Sequence, residues 1–362
     1  MKQTKVQLPT QSSDRLFFLE FLKAISIISV VSYHAIFLPR STYITSGGIL
    51  ETLFAPLRFS VPVFLTISIF LFERQIAQAP TESKLLLKKR LLRLGIPTLF
   101  WFAIAAALKI INGSSALEII TAIFQGEIFT GAYYFLVILQ LMSNFQLLRN
   151  WLNQQKNIYA TFIIQAVLLL FVYASISGLF GNNVLAFLRF MERPFIIYWI
   201  VYMALGIYIY KNIDWIQKKS LSLSKISKIL ILCLTAVTMA IEYRVLASLL
   251  TDTLRPFDYA AFSCMLSVPA IFICFASVNE NNLPLPVVKL VKLLSKYSLG
   301  IFCINGILAQ IFLSIGTKLF SQASFSFPQI LGIKIIGWIV LLTVSLLLSI
   351  VLKRLGLKRV VC

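Results

Sequence analysis

Long apolar segments separated by short polar ones run along almost the whole chain. Ten of these segments are long enough to cross a lipid bilayer as helices, because a span needs about 17–25 residues. They cover about residues 16–37, 50–72, 94–111, 131–148, 158–178, 194–210, 229–250, 259–278, 298–316 and 327–352. The pattern predicts an all-α fold, a polytopic transmembrane helical bundle of about ten helices.

The polar segments between the predicted spans are short. Even the longest of them, about 73–93 and 279–297, are too short to fold alone. We therefore expect a short cytoplasmic N-terminal tail (1–15), a transmembrane domain (16–352) and a basic cytoplasmic C-terminal tail (353–362). The first apolar segment is predicted to be a span and not a cleaved signal peptide, because it is long and contains charged residues.

Composition and charge support a membrane protein. Of the 362 residues, 59% are hydrophobic and only 13% are charged, whereas soluble domains carry about 25% charged residues. If the N-terminus is cytoplasmic, 23 of the 33 Lys and Arg residues lie in inside segments and 5 in outside ones. This bias predicts a multi-pass protein of the cell (inner or plasma) membrane with both termini cytoplasmic. The other five lie within or at the edges of spans: Lys23, Arg58, Lys109, Arg244 and Lys334.

Two classes of partner are not expected. No basic stripe with interleaved aromatic residues is present, so the charge of +20 does not indicate nucleic-acid binding. The chain has five cysteines but no CxxC pair and only one histidine, so a metal site of the usual His/Cys type is not predicted.

The first span contains Lys23 and His34, the single histidine of the chain. Eleven residues at 100° each return a helix to within about 20° of its starting direction, so the two side chains share one face, about 16 Å apart along the axis. Ionisable groups in a bilayer are costly and indicate a functional site, and neutral imidazole accepts a proton near pH 7. The alternative is structural: His34 bonds between helices while Lys23 extends toward the headgroups.

A basic cluster, KKRLLR, directly precedes the third span. It contains Lys88, Lys89, Arg90 and Arg93, and the two arginines are neighbours on one helix face. Guanidinium groups bind phosphate through paired hydrogen bonds, so the cluster is a candidate site for an anionic cytosolic ligand. Basic clusters beside membranes also set topology and bind anionic headgroups, and this alternative stays open.

Polar residues in two other spans complete the candidate chemistry. Ser68 in the second span could place a hydroxyl near a site, although an ordinary kinked span explains it equally well. No acid on the first helix is close to His34, since Glu20 is about 21 Å away along the axis. We predict Glu242 of the seventh span as the acidic partner of His34; an ion pair of Glu242 with Arg244 or a neighbouring helix is the alternative.

These motifs together resemble the integral-membrane acyltransferase-3 family of O-acyltransferases. That family has a basic residue and a histidine separated by ten residues in its first helix, a Phe-rich second helix ending in Ser-Gly, and Arg-x-x-Arg before the third helix. The matching residues here are Lys23 and His34, Ser68 and Ile69, and Arg90 and Arg93. Ile69 therefore stands where the family has glycine.

The resemblance extends over nearly the whole chain. GAYYFLVILQLM (131–142) resembles the fourth helix of the family, and YSLGIFCIN (297–305) resembles a late helix in which many members have a histidine where this chain has Asn305. Asparagine can still hydrogen-bond, so a positioning role for Asn305 is retained.

The resemblance implies an O-acyltransferase that moves an acyl group, commonly acetyl from acetyl-CoA, onto a hydroxyl of a glycan or other envelope acceptor. It implies that His34 is the catalytic base or carries the acyl group, that Lys23 assists it, and that Lys89, Arg90 and Arg93 bind the CoA phosphates. Ser68, Asn305 and Tyr33 are candidates to stabilise the oxyanion. Two other functions remain open: a polysaccharide or lipid-linked sugar exporter or flippase, and an inactive or regulatory relative.

Overall fold

The computed structural model describes residues 16–190, 193–249, 259 and 261–362, so the predicted N-terminal tail (1–15) lies outside the described residues. The described chain is helical and contains no β-strand. Its α-helices are α1 (Phe17–His34), α2 (Ile44–Phe54), α3 (Ser60–Gln78), α4 (Ser83–Ile111), α5 (Ala116–Phe124), α6 (Tyr133–Ser143), α7 (Phe145–Leu152), α8 (Gln155–Ile176), α9 (Gly181–Phe190), α10 (Ile200–Lys211), α11 (Ile213–Ser222), α12 (Lys225–Leu249), α13 (Phe262–Phe275), α14 (Leu285–Phe320), α15 (Phe327–Arg354) and α16 (Lys358–Val361).

Capping residues or a proline lie at the starts of several of these helices. Ser115 with Glu118, and Ser326 with Gln329, form capping boxes at the starts of α5 and α15. Each box satisfies backbone N–H groups that have no partner inside the helix. Pro286 lies in the first turn of α14, where a missing N–H costs little.

Seven helical segments of the described chain are long and apolar enough to cross a membrane. They are α1, Ser46–Gln78, Pro80–Ile111, α8, α12, α14 and α15. Three shorter apolar helices, α6, α10 and α13, coincide with three more of the predicted spans. The predicted all-α membrane fold is thus confirmed, whereas the count of ten spans and the cytoplasmic position of both termini stay predictions.

Helix α1 lies at the centre of the bundle. It packs along α14 and also contacts α3 and α15. Large apolar side chains of α1, including Phe17, Phe18 and Leu22, are buried in the core. Helix α12, in contrast, directs most of its apolar side chains outward. The central position of α1 shields its polar side chains from lipid, which a polar site inside a bilayer requires.

Two glycines allow the residues that follow α1 to pack closely on α14 and α15. A Cβ at Gly316 of α14 would lie 1.7 Å from the carbonyl oxygen of Phe37, and a Cβ at Gly337 of α15 would lie 2.8 Å from the Phe37 ring. Only glycine leaves room for such close approach. This packing fixes the C-terminal end of α1, where His34 is the last helical residue.

The segment predicted as a C-terminal tail, 353–362, packs against the bundle. Helix α15 continues to Arg354, and α16 turns back toward α4 and α14. Val360 and Val361 are buried, and the indole N–H of Trp101 donates to the Val360 carbonyl over 2.9 Å. The end of the chain therefore contributes to the core beside α4.

Ile69 is accommodated by a glycine on the neighbouring helix. Its side chain is buried in α3 and contacts Gly206 of α10, where a Cβ would lie 2.6 Å from the Ile69 Cβ and 2.9 Å from the Thr66 carbonyl oxygen. Helices α3 and α10 thus remain in close contact, because the glycine is on α10 while α3 carries the bulky Ile69.

We expect Gly206→Ala to destabilise the protein by about 1–3 kcal/mol, because the added methyl overpacks the contact between α3 and α10. Adding Ile69→Ala should recover part of this loss. Gly332→Ala on α15 is the matched control, since nothing lies within 4 Å of its Cβ position and alanine favours helix. Thermal unfolding in detergent checks this, and equal midpoints for the two single variants would contradict it.

Candidate active site

His34 lines a cavity of about 350 Å³ at the end of α1. We call it the histidine cavity. Its wall is formed by several parts of the chain and is mainly polar or aromatic, including Tyr33, Glu51, Arg58, Glu127, Gly131, Arg193, Tyr243 and Gln310. A concave site with convergent polar groups in an otherwise apolar bundle is characteristic of ligand binding.

The imidazole of His34 is oriented by Asn305. Nδ1 of His34 lies 2.9 Å from Oδ1 of Asn305, whose side chain is completely buried in α14. The Nδ2 group of Asn305 donates both of its hydrogens to backbone carbonyls, those of Ile301 (2.9 Å) and Phe302 (2.7 Å). The oxygen therefore faces His34, and since an amide oxygen only accepts, Nδ1 must be the donor. In the neutral ring Nε2 is then the basic nitrogen.

A buried guanidinium forms a second part of the cavity wall. Arg58 is only 4% exposed, and its Nη2 donates to the hydroxyl of Tyr33 over 2.5 Å. Its guanidinium carbon lies 4.1 Å from the ring centre of Tyr243, whose hydroxyl donates to Glu51 over 2.9 Å. A buried charge needs such partners. Arg58 thus brings positive charge to the cavity next to the residue that precedes His34.

Lys334 of α15 supports the same end of α1. It is 3% exposed, its Nζ donates to the backbone carbonyl of Tyr33 over 3.1 Å, and it lies 4.3 Å from the ring centre of Phe54. The last carbonyls of a helix have no partner within the helix and carry partial negative charge, so a cation there is favourable. Lys334 therefore caps α1 beside His34.

A second polar cluster lies closer to the beginning of α1. Nη2 of Arg90 donates to Ser68 Oγ over 2.5 Å, and Arg90 also interacts electrostatically with Lys23 and Tyr134. We call Lys23, Ser68, Arg90 and Tyr134 the basic cluster. Nε of Arg90 is buried without a hydrogen-bond partner among the described residues. A buried donor without a partner is costly, so this arrangement suits an anionic ligand.

The structure separates the predicted site residues into these two groups. His34, Tyr33 and Asn305 meet at the histidine cavity. Lys23, Ser68 and Arg90 meet at the basic cluster, about 16 Å away by the helical rise between Lys23 and His34. Arg93 and Lys89 are exposed on α4, with Arg93 in electrostatic range of Arg90.

The structure places two of the predicted site residues away from the histidine cavity. Ser68 bonds Arg90 and is not among the residues lining the histidine cavity. Glu242 accepts hydrogen bonds from the hydroxyls of Tyr173 and Ser263 and from the backbone N–H groups of Phe262 and Ser263. It thereby joins α8, α12 and α13, and Asn305, a neutral amide, contacts Nδ1 of His34 instead.

Sequence reasoning gave no role to Arg58 or Lys334. The available signal was their position in or at the edge of apolar spans, because a cation there must be paired within the protein. Tyr243, Tyr134 and Glu51 carried no such signal. Among the residues that the structure describes, no group of three or more His, Cys, Asp or Glu side chains could hold a metal ion.

The sequence matches a known family over nearly its whole length. The family model for the acyltransferase domain, Acyl_transf_3, matches residues 16–354. The chain therefore belongs to the Acyl_transf_3 family of acyltransferases. No curated protein and no solved structure matches it significantly.

We expect Asn305→Leu to lower kcat about 100-fold and to change the KM for the acyl donor less than twofold. The ring would lose the acceptor that holds its proton on Nδ1, and general-base catalysis is worth about 10²–10⁴-fold. Gln165→Leu, a buried amide on α8, is the control for loss of a polar core group. Steady-state kinetics check this, and an unchanged kcat for Asn305→Leu would contradict the positioning role.

Proposed function

We propose that this acyltransferase transfers a small acyl group, most simply acetyl, from acyl-CoA to a hydroxyl of a cell-envelope glycan or related acceptor. His34 is its general base, and the protein acts as a multi-pass protein of the inner or plasma membrane. The observation that carries the proposal is the hydrogen bond between Nδ1 of His34 and Asn305. It makes Nε2 the basic nitrogen of an imidazole that lines a polar cavity.

The proposed reaction uses Nε2 of His34 twice. It first accepts the proton of the acceptor hydroxyl as the oxygen attacks the thioester carbonyl carbon, forming a C–O bond. When the C–S bond breaks, the imidazolium returns the proton to the leaving thiolate sulfur. If the acyl group is instead carried on the enzyme, the same lone pair of Nε2 is the nucleophile.

Tyr33 is the best-supported candidate to stabilise the oxyanion. Its hydroxyl accepts from Arg58, and a hydroxyl polarised by a cation is a stronger donor in a low dielectric. Asn305 is unsuited to this role because both hydrogens of its amide are already donated to backbone carbonyls. Its predicted orienting role is the one that the geometry supports.

The basic cluster is proposed to receive the donor. Arg90 has a buried Nε that lacks a partner among the described residues, and Lys23 adds a second cation in electrostatic range. The exposed Arg93 and Lys89 add positive charge at the surface of α4. Guanidinium and ammonium groups in such an arrangement suit the phosphates of CoA.

The histidine cavity is proposed to receive the acceptor. Tyrosines and carboxylates on its wall, such as Tyr243 and Glu51, offer flat faces and hydrogen-bond acceptors suited to sugar hydroxyls. The ion pairs Arg193–Glu127 (3.5 Å) and Arg40–Glu51 (3.6 Å) lie at its edge. A volume of about 350 Å³ suits one or two sugar rings at a time.

His34→Gln should abolish acyl transfer while membrane insertion and unfolding temperature stay as in the wild type, because glutamine keeps a polar side chain but removes the base. Purified protein with labelled acetyl-CoA and extracted envelope glycans is assayed for ester formation by mass spectrometry. Transfer at the wild-type rate in His34→Gln would contradict the proposed base. An exporter without transfer chemistry would form no ester even as the wild type.

Arg90→Gln should weaken acyl-CoA binding by about tenfold or more, since a charged hydrogen bond contributes about 1.5–3 kcal/mol. Lys84→Gln, an exposed cation six residues earlier on α4, is the matched control and should leave the affinity unchanged. Binding of labelled CoA in detergent measures both. If the two variants lose affinity equally, the cluster acts only as general surface charge.

A further inference from the structure

Phe302 of α14 contacts one residue of the basic cluster and one residue of the histidine cavity. Its ring lies beside Tyr134 of the basic cluster, with ring centres 5.2 Å apart. It also packs against Gly131, which lines the histidine cavity. The side chain is buried, at 5% exposure.

The contact with Gly131 leaves no spare room at the edge of the ring that faces it. Gly131 has a φ of +92°, and a Cβ there would lie 3.0 Å from Cζ of Phe302. Glycine is thus required both by the backbone conformation and by the ring that packs on it. Phe135, on the same turn of the chain as Gly131 and Tyr134, also contacts the ring, at 6.1 Å between centres.

The backbone of Phe302 is also hydrogen-bonded to Asn305, the residue that orients His34. Its carbonyl accepts one of the two hydrogens of the Asn305 amide, three residues later on α14. The same amide holds Nδ1 of His34 through its oxygen. Arg90 is in electrostatic range of Tyr134, and from Tyr134 a set of contacts runs through Phe302 to Asn305 and His34.

We propose that Phe302 determines the size of the acyl group that this enzyme transfers. The inference rests on the proposed function, in which the CoA phosphates are held at the basic cluster and the thioester carbonyl must meet Nε2 of His34. The thioester then has to pass the Tyr134–Phe302 contact. A small acyl group passes with a modest movement of the Phe302 ring, whereas a longer chain collides with a ring confined by Gly131 and Phe135.

The expected discrimination between short and long acyl groups is large enough to measure. One additional methylene in a tight apolar passage changes kcat/KM by about 10–200-fold. Replacing the ring by a smaller side chain should remove most of this penalty. The ratio of kcat/KM for butyryl-CoA to that for acetyl-CoA should therefore rise at least tenfold.

The test compares acetyl-, propionyl- and butyryl-CoA as donors for the wild type, Phe302→Leu and Phe302→Ala in detergent. Phe302→Leu keeps most of the core volume in case Phe302→Ala does not fold. Phe272→Ala is the matched control, because Phe272 is a fully buried phenylalanine of α13 that packs on Phe18. The extracted envelope glycans are present as acceptor in every assay, and thioester cleavage is followed by release of free thiol, with His34→Gln as the blank.

The outcomes separate the inference about Phe302 from the proposed function on which it rests. A raised butyryl-to-acetyl ratio in the Phe302 variants, with an unchanged ratio in Phe272→Ala, supports the inference. If the wild type is active and His34→Gln is not, but the Phe302 variants keep the wild-type ratio, the inference is overturned and the proposed function stands. If the wild type cleaves no acyl-CoA, or His34→Gln cleaves it equally, the proposed function itself fails.

Discussion

The hydrogen bond between His34 and Asn305 connects the chemistry of this protein to its fold. Asn305 can present its oxygen to the ring only because two backbone carbonyls of α14 hold its amide hydrogens. The ring can reach that oxygen only because the end of α1 packs closely on α14 and α15, against Gly316 and Gly337. Helix packing thus determines which nitrogen of the imidazole is basic, with a neutral amide bonded to Nδ1.

A bilayer makes isolated polar groups costly, and this chain concentrates them along α1. Lys23 belongs to one polar group and His34 to another, about 16 Å apart. The ring of Phe302 packs on Tyr134 of the first group, and its backbone carbonyl binds Asn305 beside the second. Under the proposed function, the cations of the basic cluster receive the anionic donor, and His34 acts on the hydroxyl acceptor at the other position.

Much of the fold was predictable from the sequence because apolar length and charge asymmetry directly reflect the bilayer. The helix containing Lys23 and His34 was predicted for this reason, whereas α4 begins at Ser83, before the predicted third span, and so also contains Arg90. The hydrogen-bond partners of these residues were harder to predict, because a contact such as that of His34 with Asn305 joins residues 271 positions apart. Glu242 was assigned to His34 since it is an acid inside a span, yet tyrosine, serine and backbone groups bind it elsewhere. Pairing within a bundle depends on helix order and rotation, which hydrophobic periodicity does not specify.

The most direct measurement is ¹⁵N nuclear magnetic resonance of the imidazole. The chain contains a single histidine, so protein labelled with ¹⁵N-histidine and purified without a polyhistidine tag gives the signals of His34 alone. The account predicts that the neutral ring carries its proton on Nδ1, with Nε2 showing the chemical shift of an unprotonated nitrogen. A neutral ring with its proton on Nε2 would contradict the assignment of His34 as a base oriented by Asn305.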